Sequence, residues 1–172
     1  MKNLISSLFV GAALMAFTSC GDGSSAVKPY NEGINIIPMP QTLVQQDGQF
    51  KLADGMVIGA STPEAKTVAE FFADKMMRST GYKFTVADKG TINLIIDASK
   101  EGNDEAYELN VAADGVNVSA KTPQGLFYGM QTFLQLLPAE IESPEKVKGI
   151  SWTAAAVSVK DEPRFHYRGL MI

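Results

Sequence analysis

Two segments of alternating apolar and polar residues, joined by Asp114-Gly115, constrain the fold of this chain more than any other feature. Residues 107, 109 and 111 of the first segment are apolar or aromatic, and so are residues 116, 118 and 120 of the second. A period of two is typical of strands that bury one face, and Asp-Gly is a common two-residue hairpin turn. With Asp114 and Gly115 as the turn, residue 111 would lie opposite 118 and 109 opposite 120. All these side chains would then share one face.

The first predicted helix has clear signals at both ends. Ser61 or Thr62 can cap its start, and Pro63 suits the first turn because its missing N–H is not needed there. Gly81 is a typical helix stop. Between these ends, one apolar stripe at helical spacing predicts a face buried in the core, formed by Ala65, Val68, Ala69, Phe72 and Met76.

The second predicted helix begins after Thr122-Pro123, runs to about residue 137 and ends at Pro138. Its apolar face is formed by Leu126, Met130, Phe133, Leu134 and Leu137. Gly125 and Gly129 lie one turn apart on it, and each should cost about 1 kcal/mol relative to alanine. We therefore expect a close approach to the sheet or to a neighbouring domain at these glycines.

The remaining patterns complete an α/β (α+β) domain over residues 34–160. Residues 34–40 read as an extended segment with Ile34, Ile36 and Ile37 as its inward candidates. Short strands are predicted around Phe50–Leu52 and Met56–Ile58, which are separated by the turn signal at residues 54–55, and at 82–86 and 92–96. The predicted architecture is a mostly antiparallel mixed sheet with two helices on one face.

The first 33 residues are interpreted as a targeting signal and a tether, and not as part of the folded domain. Lys2 precedes an apolar run over 4–17, which is too short to span a bilayer comfortably and has the proportions of a signal peptide. The run ends in small residues before Cys20, which resembles a bacterial lipobox. We predict a lipoprotein signal peptide over 1–19, lipid attachment at Cys20 and a flexible tether over 20–33. An ordinary secretory signal and a short membrane anchor are the alternatives.

This interpretation predicts a lipid-anchored protein of the cell envelope, on the periplasm-facing side or at the outer-membrane surface. Its partner there would be the membrane, reached through the lipid anchor. An acylated thiol also fits an export route, because a free reactive cysteine is a liability outside the cytoplasm.

Composition excludes several classes of function. The net charge is −4, and removing residues 1–19 with Lys2 leaves 14 basic against 19 acidic residues, which is −5. An acidic body without a basic face argues against nucleic acid as a partner. The single cysteine, Cys20, excludes an internal disulfide, and with the single histidine, His166, it excludes most metal sites. We therefore expect no metal and no cofactor.

Three stretches of the sequence resemble glycoside hydrolase family 20: IIPMPQTLVQQDGQFKL, YELNVAADGVNVSAKTPQGLFYGMQTFLQLLP and DEPRFHYRGLMI. The first two resemble the family's small N-terminal α/β domain. The third resembles the junction into its catalytic (β/α)₈ barrel, so the resemblance implies that residues 161–172 hold the junction and the first strand of a truncated barrel.

The resemblance implies a β-N-acetylhexosaminidase, which removes terminal N-acetylglucosamine or N-acetylgalactosamine from glycans. In this family the substrate's own acetamido oxygen attacks the anomeric carbon, while an Asp-Glu pair of the barrel orients it and supplies the acid and base. We expect that pair to lie beyond this chain, so that no residue here is catalytic. Asp104-Glu105 and Asp161-Glu162 are interpreted as solvated loop charges.

Arg168 is the one residue here that matches a substrate-binding position of the family, where an arginine before glycine binds hydroxyls of the terminal sugar. A guanidinium suits vicinal hydroxyls because it can donate two parallel hydrogen bonds. The alternative is an arginine paired with a carboxylate at the domain interface. Arg164 is interpreted as a junction residue, and His166 as partly exposed and not a general base.

Two functional hypotheses remain open from the sequence. The first is a partial hexosaminidase that is inactive by itself, which we expect because the chain stops at an apolar strand start. The second is a stand-alone, lipid-anchored, non-catalytic α/β module acting in glycan binding or assembly. A zinc peptidase is excluded because no HExxH motif occurs.

Overall fold

The computed structural model describes residues 34–165 and 167–169. These residues form one mixed sheet with the strand order β1-β7-β5-β6-β4-β2-β3 and two α-helices, α1 and α2. The strands are Thr42–Lys51 (β1), Val57–Ala60 (β2), Thr85–Ala87 (β3), Ile92–Ile96 (β4), Tyr107–Ala112 (β5), Gly115–Ala120 (β6) and Thr153–Asp161 (β7). The helices are Pro63–Thr80 (α1) and Pro123–Leu136 (α2), followed by a short 3₁₀ turn at Ala139–Glu142.

The predicted α/β class, a mixed sheet with two helices, is confirmed, but the sheet is half antiparallel and half parallel rather than mostly antiparallel. Strands β1, β7, β5 and β6 are paired antiparallel, whereas β6, β4, β2 and β3 are paired parallel. Helices α1 and α2 pack on each other and on the same face of the sheet. Helix α1 accounts for the parallel pair of β2 and β3, because a helical crossover between them brings the chain back in the same direction.

The predicted hairpin exists, but its turn is displaced. The loop residues are Ala113 and Asp114, Ala112 pairs with Gly115, and Val111 lies opposite Val116 rather than residue 118. Leu109 likewise lies opposite residue 118, not residue 120. Every apolar side chain still faces the core. Moving the turn by one residue shifts the strand pairing by two residues, which leaves each side chain on the same face of the sheet.

A close strand contact explains why glycine occupies position 115. Gly115 does not have a positive φ, so the turn does not need its conformational freedom. A Cβ at this position would lie 2.8 Å from the carbonyl oxygen of Thr91, which accepts a hydrogen bond from the N–H of Val116 at 2.9 Å. Strand packing, rather than turn geometry, therefore favours glycine here.

Both helices begin and end where the sequence predicts. Thr62, not Ser61, caps α1 by accepting a hydrogen bond from the N–H of Ala65 at 3.2 Å. Gly81 ends α1 in the left-handed conformation and donates to the carbonyl of Met77. Thr122 caps α2. The predicted apolar faces are buried in one core between the helices and the sheet.

Three details of the sequence prediction change in the structure. Ile34 and Ile36 are buried, but Ile37 is exposed. The strands on either side of Asp54-Gly55 are far apart in the sheet, with β1 at one edge and β2 next to the other edge. Strand β7 was not predicted, although it is a central strand paired with both β1 and β5.

Candidate functional site

A groove of about 900 Å³ opens where the chain leaves β7. The chain after β7, called here the exit segment (residues 162–165 and 167–169), forms one wall, and α2 forms another. Tyr128 and Gln131 of α2 line it together with Phe165 and Arg168 of the exit segment. The residues described between 162 and 169 form no strand. The first barrel strand was expected to start at residues 169–172, of which 170–172 lie outside the described residues.

Arg168, the predicted substrate-binding residue, lies at this groove and is held at two points. Its Nη2 donates to Oε2 of Glu105 at 2.8 Å, and its Nη1 donates to the carbonyl oxygen of Phe165 at 2.6 Å. The hydrogen bond to Glu105 raises the pKa of Arg168 above its already high ordinary value, so the guanidinium stays charged. A guanidinium has five N–H donors, so these two contacts do not exhaust its capacity.

Glu105 is not the solvated loop charge that the sequence suggested. Its side chain is only 27% exposed and makes an ion pair with Arg168. The second carboxylate oxygen, Oε1, accepts a hydrogen bond from the Tyr128 hydroxyl at 3.3 Å. Glu105 therefore joins the β4–β5 loop, α2 and the exit segment. Its neighbour Asp104 is exposed, as expected.

Asp161 and Glu162 also differ from the prediction, because both carboxylates are half-buried and bind backbone N–H groups. Asp161 accepts from the N–H of Gln41 at 3.0 Å, and Glu162 accepts from the N–H of Asn103 at 3.0 Å. The Gln41 side chain in turn donates to the Glu162 carbonyl at 2.9 Å. These contacts fix the direction in which the chain leaves the sheet.

Tyr107 of β5 lines the groove and connects β5 to α2 and β7 through its hydroxyl group. Its hydroxyl shares a hydrogen bond of 2.6 Å with Thr132 of α2 and donates to Asp161 at 3.4 Å. Burial raises the pKa of Tyr107 to about 12, so the phenol stays protonated at neutral pH. The sequence pattern indicated only that Tyr107 faces the core, because its polar partners lie 25 and 54 residues away.

Within residues 34–165 and 167–169, no group of three or more histidine, cysteine, aspartate or glutamate side chains could hold a metal ion. No helix in that same part of the chain is long and apolar enough to cross a membrane. Cys20, the predicted lipid attachment site, and His166 lie outside the described residues.

Comparison with known proteins identifies the family. The sequence profile of glycosyl hydrolase family 20, domain 2, matches residues 33–162. The chain belongs to glycosyl hydrolase family 20. Its match to this family's domain 2 spans all seven strands and both helices described above.

Several relatives of this chain are β-hexosaminidases. The β-hexosaminidase of Porphyromonas gingivalis is 37% identical over 166 residues, which cover 92% of this chain and 21% of that protein. The structure of Streptomyces plicatus N-acetyl-β-hexosaminidase in complex with Thio-NAglucal matches with a TM-score of 0.73 and 31% identity, over 77% of this chain and 27% of that one. The family 20 β-N-acetylhexosaminidase of Streptomyces coelicolor A3(2) matches with a TM-score of 0.72 and 30% identity over the same shares.

The chain therefore spans about a fifth to a quarter of the length of these relatives. The family and the fold of this domain follow directly from the matches. The activity of the relatives is a property of much longer polypeptides.

Proposed function

We propose that this chain is the accessory α/β domain of an exported β-N-acetylhexosaminidase that removes terminal N-acetylglucosamine or N-acetylgalactosamine from glycans. The observation that carries this proposal is the family match over residues 33–162, together with relatives that are β-hexosaminidases. The reaction would be retaining, with the substrate's acetamido group as the nucleophile.

In this proposal the residues 34–169 do not perform the reaction by themselves. The carboxylates of Asp161 and Glu162 are engaged with backbone N–H groups, and Glu105 is paired with Arg168. A general acid needs a carboxyl group that can reach the glycosidic oxygen and exchange its proton there. Side chains engaged in holding the exit segment are poorly suited to that role, which supports a catalytic Asp-Glu pair elsewhere in the complete protein.

Arg168 would bind hydroxyls of the terminal sugar in the complete enzyme. Its position at an open groove and its permanently charged guanidinium support this role, since charged donors form the stronger hydrogen bonds to hydroxyl oxygens. The contact with Glu105 favours a second role as an ion pair that fixes the exit segment. The two roles are compatible because a guanidinium has donors for both.

Attachment through Cys20 would keep the enzyme at the cell envelope. The support is the short apolar run after Lys2, the small residues before Cys20 and the absence of another cysteine in the sequence. Expressed in a bacterium, the chain should fractionate with membranes and incorporate labelled palmitate. Cys20→Ser should lose both properties, whereas Ser24→Ala in the same tether should lose neither. Unlabelled wild-type chain, or equal membrane association of the Cys20→Ser variant, would contradict the anchor.

The activity is tested with the complete protein that contains this domain. It should hydrolyse 4-nitrophenyl N-acetyl-β-glucosaminide but not the matched 4-nitrophenyl β-glucoside, because the glucoside lacks the acetamido nucleophile. Release of 4-nitrophenol measures both rates. Comparable hydrolysis of the two substrates, or hydrolysis of neither, would contradict the proposed function.

A further inference from the structure

Glu105 reaches Arg168 across 63 residues of sequence and links the body of the domain to the exit segment. Glu105 is itself held in place by two further hydrogen bonds. The second oxygen of its carboxylate accepts a hydrogen bond from the Tyr128 hydroxyl of α2, and the backbone N–H of Glu105 donates to the Asn103 side chain at 2.9 Å. The guanidinium therefore meets a carboxylate whose position is set by the folded domain.

The loop that carries Glu105 is also tied to the exit segment. The N–H of Asn103 donates to the Glu162 carboxylate at 3.0 Å, and the Asn103 side chain donates to the Pro163 carbonyl at 3.1 Å. Arg168 is thus fixed by a side chain from the domain body, by a carbonyl of its own segment and by a loop that holds that segment. These bonds restrict the rotamers of a side chain that is otherwise long and flexible.

We propose that Glu105 is a positioning residue for Arg168, through which the accessory domain contributes to sugar binding. This inference rests on the proposed function, in which Arg168 binds sugar hydroxyls. Orienting the guanidinium before the substrate arrives lowers the entropy lost on binding. The benefit applies equally to the bound substrate and to the transition state, so it should appear in KM rather than in kcat.

The paired carboxylate also suits a neutral ligand. Glu105 balances the charge of Arg168 and leaves N–H donors for uncharged hydroxyl oxygens. The chemical class that fits this arrangement is a neutral vicinal diol of a terminal hexosamine, with Arg168 as the donor.

The test uses the complete protein and 4-nitrophenyl N-acetyl-β-glucosaminide. Glu105→Ala should raise KM about tenfold, which corresponds to the loss of one hydrogen bond to a charged group, while kcat changes less than about twofold. Glu105→Gln keeps an acceptor oxygen and should raise KM less than Glu105→Ala does. Glu101→Ala is the matched control, because it removes a carboxylate from the same loop at an exposed position without a described contact to Arg168.

A double-mutant cycle separates positioning from a structural role. In an Arg168→Ala background, Glu105→Ala should leave KM unchanged, because there is no guanidinium left to orient. Thermal unfolding of Glu105→Ala and Glu105→Gln checks that both variants fold. An unchanged KM in folded Glu105→Ala would overturn the inference. An increase in KM of the same size in the presence and in the absence of Arg168 would overturn it as well. A wild-type enzyme without hexosaminidase activity would instead overturn the proposed function and, with it, the inference.

Discussion

Replacing Phe72 with alanine should lower the free energy of unfolding by about 4 kcal/mol, the loss typical of a buried phenylalanine. The Phe72 ring is fully buried in α1 and packs 5.3 Å from the ring of Phe127 in α2, measured between centroids. Removing it would leave a cavity at the contact between the two helices. Urea unfolding followed by the fluorescence of buried Trp152, the one tryptophan of the chain, measures the effect.

The adjacent Phe71 provides the matched control. Its side chain is 51% exposed, although its ring also contacts those of Phe72 and Phe127. Phe71→Ala should therefore cost about 1 kcal/mol. Equal losses for the two variants would mean that the core does not lie where the structure has it.

Replacing Gly125 with alanine should lower the free energy of unfolding by about 3 kcal/mol. At an exposed position inside a helix, the same change would raise the free energy of unfolding by about 1 kcal/mol. At this position, however, a Cβ would overlap the carbonyl oxygen of Ala106 and would lie 2.7 Å from the Cβ of Ala120. A backbone oxygen cannot rotate away as a side chain can, so the helix would have to move from the sheet.

The neighbouring Gln124 is exposed on the same turn of α2, and Gln124→Ala should change stability by less than about 0.5 kcal/mol. Urea unfolding of the two variants under the same conditions compares them directly. A Gly125→Ala protein as stable as the wild type would contradict the close contact between α2 and the sheet.

Local signals predicted the helices because both helix ends are determined by neighbouring residues. A capping threonine and a proline in the first turn act on adjacent residues at the start of each helix, and a left-handed glycine does so at the end of α1. The glycines of α2 could be interpreted in advance as a close approach, because glycine in a helix is otherwise unfavourable. The structure confirms that approach at both Gly125 and Gly129.

The features that the sequence did not predict depend on distant contacts. The turn at residues 113–114 places Gly115 against Thr91, the residue before β4, whose carbonyl leaves no room for a Cβ there. Strand β7 begins in an alanine-rich stretch with little alternation, and its place between β1 and β5 is set by pairing. Nothing local links Glu105 to Arg168, so the partner of the predicted sugar-binding residue could be found only in the structure.

We propose that this chain is an accessory domain and that the hexosaminidase chemistry resides elsewhere in the complete protein. Assays of the isolated chain and of the complete protein at equal molar concentration, with 4-nitrophenyl N-acetyl-β-glucosaminide, test this proposal. The complete protein should release 4-nitrophenol, and the isolated chain should not exceed the uncatalysed rate. Turnover by the isolated chain well above that rate would contradict the claim.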